Sequence, residues 1–469
     1  MLTDKYAPQG ALTLKKYDSF IIGTGQASGT LVGGLIELGQ SFAVAEGGTV
    51  GGTCANFGCT PTKALVASAK AIHTARATGD QYGFDLSGDV QTDFQRVMAR
   101  MNEIRGAAGL KTYIEDNGDF YPEYAQFEDE HRVRVGDEII EAERIYINTG
   151  ARARQLNLPG IEAIDVLDNK KVLELTELPE HLIIMGGSYI GMEFGQIFRR
   201  FGSQVTILER GGQLMSREDE DVAEIAQQVF AEEGIDVKLN TDVKQAGKSS
   251  SGGVIITYEQ DGQQKTVEGS HLLVAVGRVP NADRLNLEAV GVETDDRGYI
   301  QVDNHLQTNI ANIYALGDVN GEGAFTHTSV NDGEIILNNL NGGDRGVSDR
   351  IMTYGMFIDP PLGRVGFNEK QALESDRRLK MATMPMSDIA RAREKGETDG
   401  IVKVLVDDDT DEFCGATVFG TSGDEVVNMF TVAMYSGVPC YTFSNAVFIH
   451  PTVSELMPYV IRNLEPLNY

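Results

Sequence analysis

One structural device is written twice in this chain. A β-prone run over 17–22 ends in Gly23-Thr24-Gly25, a helical pattern follows to about Leu38, and a second β-prone run, 41–45, stops at Glu46. Later, 181–185 is β-prone, Gly186-Gly187-Ser188 interrupts it, 189–201 reads as helix, and 204–208 leads to Glu209. The separation from first glycine to closing acid is the same in both copies. Strand, glycine turn, helix, strand and carboxylate make a βαβ unit, because parallel strands need a crossover long enough to hold a helix. One glycine motif alone is weak, but two in matched context predict two Rossmann-like dinucleotide-binding domains and an α/β fold. From about 351 the pattern changes to β-prone runs (401–406, 416–419) alternating with helices, which predicts a C-terminal α+β domain.

The glycine turns carry chemistry. Without a Cβ the backbone approaches a pyrophosphate closely, and the phosphate charge sits at the N-terminus of the following helix. Gly23 and Gly25 in the first copy, and Gly186, Ser188 and Gly191 in the second, are the expected contacts. Ser28 takes the third position of the first copy and Ser188 the middle position of the second, both small enough to keep the packing close. Glu46 and Glu209 stand where a carboxylate meets adenosine ribose hydroxyls. Between and after these units, 92–117 and 219–233 read as helices, and 254–276 reads as β before Gly277-Arg278-Val279-Pro280-Asn281.

Composition narrows the partners. A net charge of −29 repels nucleic acid, and reads either as a well-solvated surface or as adaptation to high salt. No apolar run is long enough to insert in a membrane, and 1–16 lacks the apolar core of a secretory signal, so a cytoplasmic protein is expected. Four cysteines in 469 residues are no disulfide scaffold. No resident metal site is expected.

Cys54 and Cys59 lie five residues apart in Gly51-Gly52-Thr53-Cys54-Ala55-Asn56-Phe57-Gly58-Cys59. A regular helix would hold such positions about 8.7 Å apart at Cα, whereas a disulfide needs roughly 4.4–6.8 Å. The backbone must therefore break, and Gly51, Gly52 and Gly58 allow it. A strained pair near a helix start suits a labile, catalytic disulfide with a lowered thiolate pKa. Cys414 and Cys440 read as buried apolar thiols.

The run 51–65, GGTCANFGCTPTKAL, resembles the active-site segment of the class I pyridine nucleotide-disulfide oxidoreductases, and the resemblance extends from Tyr17 to about Pro458. It implies bound FAD with Thr53 among its contacts, and a redox role for Cys54 and Cys59. Ile313-Tyr314-Ala315-Leu316-Gly317-Asp318 is similar to the family's second flavin motif, with Asp318 on the ribityl chain. By the same resemblance Lys63 and Glu193 form an ion pair beneath the flavin, Tyr189 gates the nicotinamide pocket, Ala125 contacts adenine through its main chain, and Gly277 contacts the nicotinamide nucleotide. In His450-Pro451-Thr452-Val453-Ser454-Glu455 the histidine would be the acid–base and Glu455 would orient it, acting in the second subunit of a homodimer. Histidine is the side chain that titrates near neutrality, and a carboxylate on its far nitrogen fixes the tautomer.

The C-terminus lacks the cysteine pair of mercuric reductase proper and of high-molecular-weight thioredoxin reductase. Phe448 replaces the first histidine of the His-x-His-Pro-Thr usual in dihydrolipoyl dehydrogenases. The segments 145–152, 205–221, 357–367 and 389–393 most resemble the mercuric-reductase-like and reactive-chlorine reductase branch. The expected function is transfer of electrons from NAD(P)H through flavin to the Cys54–Cys59 pair, and on to a disulfide, an oxidised sulfur or halogen species, a small thiol partner or a metal ion. Dihydrolipoyl dehydrogenase and a non-turnover redox switch stand as alternatives. NADH is favoured by Glu209, while Arg210 and Arg217 leave NADPH open. The expected domains are an FAD domain at 1–150 and 278–349, an NAD(P) domain at 151–277, and an interface domain at 350–469.

Overall fold

The computed structural model describes residues 13–77, 82–84 and 90–467. Residues 1–12, most of the segment inspected for a secretory signal, lie outside the described residues. The chain divides into two compact units: Met1–Thr60 with Arg105–Arg152 and Arg278–Arg350, and Pro61–Ile104 with Ala153–Gly277 and Ile351–Tyr469.

In the first unit, Asp119–Tyr121, Phe42–Ala45, Thr13–Ile22 and Glu138–Ile147 lie side by side in parallel, and Ile313–Ala315 continues the sheet beside Ile145–Ile147. Arg132–Val135 and Ala125–Phe127 add antiparallel strands to the other half of Glu138–Ile147. Where both faces are covered the strands are buried without alternation, along all of Phe42–Ala45 and at Ser19–Ile22 and Ile145–Ile147. Ile21 and Val44 pack with Leu31, Leu35 and Ile335 of the helices Gln26–Glu37 and Thr326–Leu340, while Phe20 and Ala43 pack with Ile300 and Ile313 on the other face. The two helices meet closely at Gly34, where a Cβ would stand 2.2 Å from Leu337.

The second unit holds five parallel strands in the order Asp236–Lys238, Gln204–Leu208, His181–Met185, His271–Val274, Val166–Leu167. The helix Tyr189–Phe201 buries Met192, Phe194, Phe198 and Phe201 against Leu182, Ile184 and Ile207. An antiparallel sheet of Asp242–Lys248, Val254–Gln260 and Gln263–Gly269 packs over Ile183 and Met185. The unit also holds a six-stranded sheet whose central strands, Ile401–Asp407 and Phe413–Phe419, carry the helix Gly423–Tyr435.

The single helix expected over 92–117 is two helices, Phe94–Ile104 and Leu110–Asn117. The chain enters positive φ at Gly106 and Gly109 between them. Gly106 N–H is taken by the Ala55 carbonyl at 2.9 Å, a tertiary bond that helical periodicity does not reveal.

Candidate active site

The repeat seen in the sequence extends to individual hydrogen bonds. Gly23 and Gly186 both turn at positive φ (99° and 108°), and a Cβ at either would clash with the carbonyl oxygen of the next strand, Asn148 or Ala275. Glu46 accepts from Thr24 N–H (2.9 Å) and Gly48 N–H (2.7 Å). Glu209 accepts from Gly187 N–H and Gly211 N–H, both at 2.6 Å. Each carboxylate thus bridges the residue after the first glycine and the residue two beyond itself. The copies differ one turn into the helix. Gly191 admits no side chain, since a Cβ would stand 2.0 Å from the Gly186 carbonyl oxygen. Ser28 is buried, donates to Gly23 O at 2.9 Å and accepts from Asn148 Nδ2 at 2.8 Å, and Gly25 lies against that same Asn148 side chain. Gly25 and Ser188 are the N-caps of their helices, and neither helix start is occupied by a capping side chain. Tyr189 opens the second helix and is partly buried. These helix N-termini and fixed acids form a donor and acceptor set that fits FAD and a nicotinamide dinucleotide.

Around the second flavin motif, Asp318 sits in a turn at Gly317–Val319 with Arg278 Nε 3.4 Å from its carboxylate. Burial pushes the Asp318 carboxyl up, and Arg278 works against that. The turn is held by buried Asp332, which accepts from Gly317 N–H at 2.7 Å and pairs with Arg350. Ala125 is a buried strand residue opposite Val135. Gly277 takes positive φ and its carbonyl accepts from Arg154 N–H at 3.0 Å.

The cysteine segment breaks where expected. Thr53 and Cys54 belong to the short helix Gly52–Phe57, and Gly58 ends it, so that Cys59 starts a new helix, Cys59–Ala77. Gly58 has no room for a side chain, because a Cβ would meet Thr53 O at 3.0 Å and Cys54 Cα at 3.2 Å. Both cysteines are free thiols in this structure. The Cys54 thiol is pushed up from its ordinary range, first by its hydrogen bond with Cys59 and then by burial, with Thr326 opposing. The lowered thiolate pKa expected for the pair is therefore not what Cys54 shows, because a neighbouring thiol favours its protonated form. Thr326 Oγ1 donates to Cys54 Sγ at 2.9 Å and lies 3.4 Å from Cys59 Sγ. Beside it, the rings of Phe325 and His327 stack. Sequence reasoning passed over Thr326. Its only local signal is a place at the start of the helix Thr326–Leu340.

One turn beyond Cys59, Lys63 Nζ grips both oxygens of buried Glu193 at 2.9 and 2.8 Å. Phe357, also missed, donates its N–H to Glu193 Oε1 at 2.9 Å and sets its ring 4.6 Å from Lys63 Nζ. Near the C-terminus, His450 Nδ1 lies 2.9 Å from both oxygens of Glu455, and the His450 side chain is 75% exposed. Cys414 and Cys440 are buried, and burial pushes both thiols up.

Residues 17–333 match the pyridine nucleotide-disulphide oxidoreductase family, and 352–460 match its dimerisation domain. The chain belongs to this family. It is 36% identical over 455 residues, 94% of this chain and 98% of the relative, to the probable pyridine nucleotide-disulfide oxidoreductase RclA of Escherichia coli. It is 31% identical over 447 residues to a mercuric reductase of Lysinibacillus sphaericus, covering 94% of this chain and 81% of that one. Among solved structures, the HOCl-induced flavoprotein disulfide reductase RclA from Escherichia coli superposes with a TM-score of 0.84 at 35% identity, covering 95% of this chain and 99% of that one. The protein is thus an NAD(P)H-dependent flavoprotein disulfide reductase of the RclA and mercuric-reductase-like branch, with FAD- and NAD(P)-binding folds and a homodimer-forming domain. Among the described residues, no helix is long and apolar enough to cross a membrane.

Proposed function

We propose that this protein is a cytoplasmic reductase that draws electrons from NADH in preference to NADPH and delivers them through Cys54 and Cys59 to an oxidised sulfur or halogen species, a small disulfide or a metal ion. The observation that carries the reading is the helix break at Gly58, which puts two thiols in hydrogen-bonding reach of each other at a site with its own hydroxyl. Bound FAD would supply the two-electron chemistry that connects a nicotinamide to a disulfide. The glycine turn at Gly23 and Gly25, with Glu46, Thr53, Ala125 and Asp318, would hold it. Gly186, Ser188, Gly191, Glu209 and Gly277 would hold the nicotinamide nucleotide, and Tyr189 would gate its pocket.

In this reading Cys59 is the flavin-facing thiol and Cys54 the one that meets the acceptor. Lys63, paired with Glu193, stands on the helix that Cys59 begins. His450, oriented by Glu455, would exchange a proton with Cys54 of the second subunit. Its exposure supports that role, since the ring is open to a second chain. The working domains would be 1–150 with 278–349 for FAD, 151–277 for the nicotinamide and 350–469 for the interface. The RclA relative is described as HOCl-induced, which favours the oxidised-sulfur and halogen acceptors over dihydrolipoamide. Steady-state NADH oxidation against a panel of small disulfides, chloramine-type oxidants, metal ions and dihydrolipoamide tests the reading. C54S and C59S should each remove acceptor reduction while retaining FAD. Dihydrolipoamide as the best substrate in the reverse direction would overturn it.

A further inference from the structure

The stretch from Glu209 to Asp219 joins the strand Gln204–Leu208 to the helix Glu220–Glu232 and carries the acid expected at the adenosine ribose. Its first half is tied to the second glycine turn. Met215 N–H donates to the Gly187 carbonyl at 2.9 Å, beside the bonds of Glu209. Leu214 lies so close over Gly187 that a Cβ there would stand 2.6 Å from it. The second half ends in two adjacent buried carboxylates, Glu218 and Asp219. Buried acids need partners, and these come from the C-terminal part of the same unit. Arg364, buried on the strand Leu362–Gly366, has Nη1 3.4 Å from Glu218 Oε2, and the Tyr354 hydroxyl donates to Glu218 Oε1. Lys403, also buried, has Nζ 3.0 Å from Asp219 Oδ2. Asp219 is the N-cap of its helix, a place where a carboxylate ordinarily accepts from the helix's own N–H groups. It makes no such bond, and accepts from Glu369 N–H at 3.2 Å instead. The Arg217 carbonyl accepts from Arg364 Nη1 and Asn368 Nδ2, both at 3.1 Å.

We propose that Arg364 is a positioning residue for the nicotinamide nucleotide, acting through Glu218 and the Arg217 carbonyl to hold the 209–219 stretch against the glycine turn. The stretch is a strap anchored at both ends. Gly211 and Gly212 lie in its middle and give it backbone freedom, so it keeps its course only while both anchors hold. Glu209 takes one of its two N–H bonds from Gly211, inside the strap. A strap that drifts therefore loosens the carboxylate assigned to the ribose. Gln213 Nε2 donates to the Glu218 carbonyl at 3.1 Å and carries the far anchor back toward that bond. The bonds of Arg364 run to Arg217, Glu218, Tyr354 and Gln371, and act on where the strap lies rather than on the reacting atoms.

The inference rests on the reading that Gly186 to Glu209 hold the nicotinamide nucleotide, and the test keeps the two apart. Holoenzyme is mixed anaerobically with rising NADH. The rate of flavin bleaching then gives a limiting rate and a half-saturating NADH concentration with no acceptor present. Removing Arg364 alone would strand a buried carboxylate, so R364M is combined with E218Q. Burial already pushes the Glu218 carboxyl up, and a neutral amide suits the site. The double variant should raise the half-saturating concentration about fivefold, the scale of one net hydrogen bond. Its limiting rate should stay within about twofold of wild type with FAD fully bound, the pattern of a loss confined to binding. N368D keeps an N-cap acceptor for the helix Glu369–Leu373 and withdraws the donor to the Arg217 carbonyl. It should shift half-saturation in the same direction by about twofold to threefold, and it carries the test alone if the double variant loses FAD. Unchanged half-saturation in these variants, or a limiting rate that falls as far as half-saturation rises, would overturn the assignment. Gly191→Ala disturbs the glycine turn itself. If it too leaves half-saturation unchanged, the nucleotide reading fails and the positioning role with it. If it raises half-saturation while the Arg364 and Asn368 variants do not, the positioning role alone fails.

Discussion

At the scale of single residues, the two nucleotide folds differ in ways that predict separable defects. Gly191→Ala puts a methyl group where 2.0 Å separates a Cβ from the Gly186 carbonyl oxygen, so the helix and the glycine turn of the second copy must move apart. The expected result is a variant that binds FAD as wild type does and loses at least tenfold in kcat/KM for the nicotinamide. Loss of FAD with unchanged nicotinamide affinity would contradict the assignment of the two copies. Glu209 sets a second expectation. Its two oxygens are already anchored on Gly187 and Gly211 N–H groups, so the carboxylate cannot easily turn away from a ribose phosphate. Arg210 is exposed and has water as an alternative partner. NADH should therefore be preferred, and Glu209→Gln should narrow the ratio of kcat/KM values for the two cofactors. An NADPH preference that vanishes in Arg210→Ala would reverse the assignment. Both nucleotide motifs, the cysteine pair, Lys63, Glu193, His450 and Glu455 were legible because each sits in a contiguous signature. Thr326, Phe357 and Asp332 were not, since their contacts lie far along the chain and are polar bonds that leave no periodic trace.

At the scale of elements, the buried polar network behind Glu193 explains why the 357–359 segment matters. Arg200 pairs with Glu233 at 2.6 Å and Asp359 at 2.8 Å, Lys70 reaches Asp359 at 2.9 Å, and Gln196 accepts from Asp359 N–H at 2.7 Å. The network ties the helices Cys59–Ala77 and Tyr189–Phe201 to the segment whose Phe357 N–H holds Glu193. Burial alone would raise the Asp359 carboxyl, but Arg200 and Lys70 outweigh it and hold Asp359 below the ordinary carboxylate range. A depressed acid contributes stability above its unfolded pKa of about 4 and loses it as pH falls through the folded value. Asp359→Asn should therefore lower stability near neutrality by about 1–3 kcal/mol, less than the 3–5 typical of a fully stripped buried charge, because Glu233 still pairs with Arg200 and Glu397 with Lys70 at 3.3 Å. The gap between variant and wild type should shrink as pH falls below about 4. Melting temperatures from pH 7 to pH 3 check this, and a gap that widens on acidification would contradict it. Element types were largely readable from the 3.6- and 2-residue patterns. The misread helix over 92–117 failed at Gly106, where a backbone bond to Ala55 took precedence over local periodicity.

At the scale of the whole molecule, the C-terminal region leaves apolar side chains in the open in a single chain. Val447 is 100% exposed, Ile449 79% and Val432 66%, with Tyr435, Tyr441 and Tyr459 also exposed. Such side chains call for a cover, and a second copy of the dimerisation domain is expected to supply it. His450 lies next to Ile449 on the same segment, which is why its partner is expected in the other subunit. Light scattering should give a dimer, and mixing C54S with H450A should yield heterodimers with one working site in each. An active monomer would contradict this arrangement. Electrons from the nicotinamide are expected to come to rest on Cys54 and Cys59, and anaerobic titration of the enzyme with stoichiometric NADH, followed by absorbance, tests this without intermediaries. The expected result is a long-wavelength thiolate–flavin band that persists in C54S and is absent in C59S. A band that survives in C59S and disappears in C54S would reverse the roles of the two thiols, and absence of the band from the wild-type enzyme would contradict the redox pair itself.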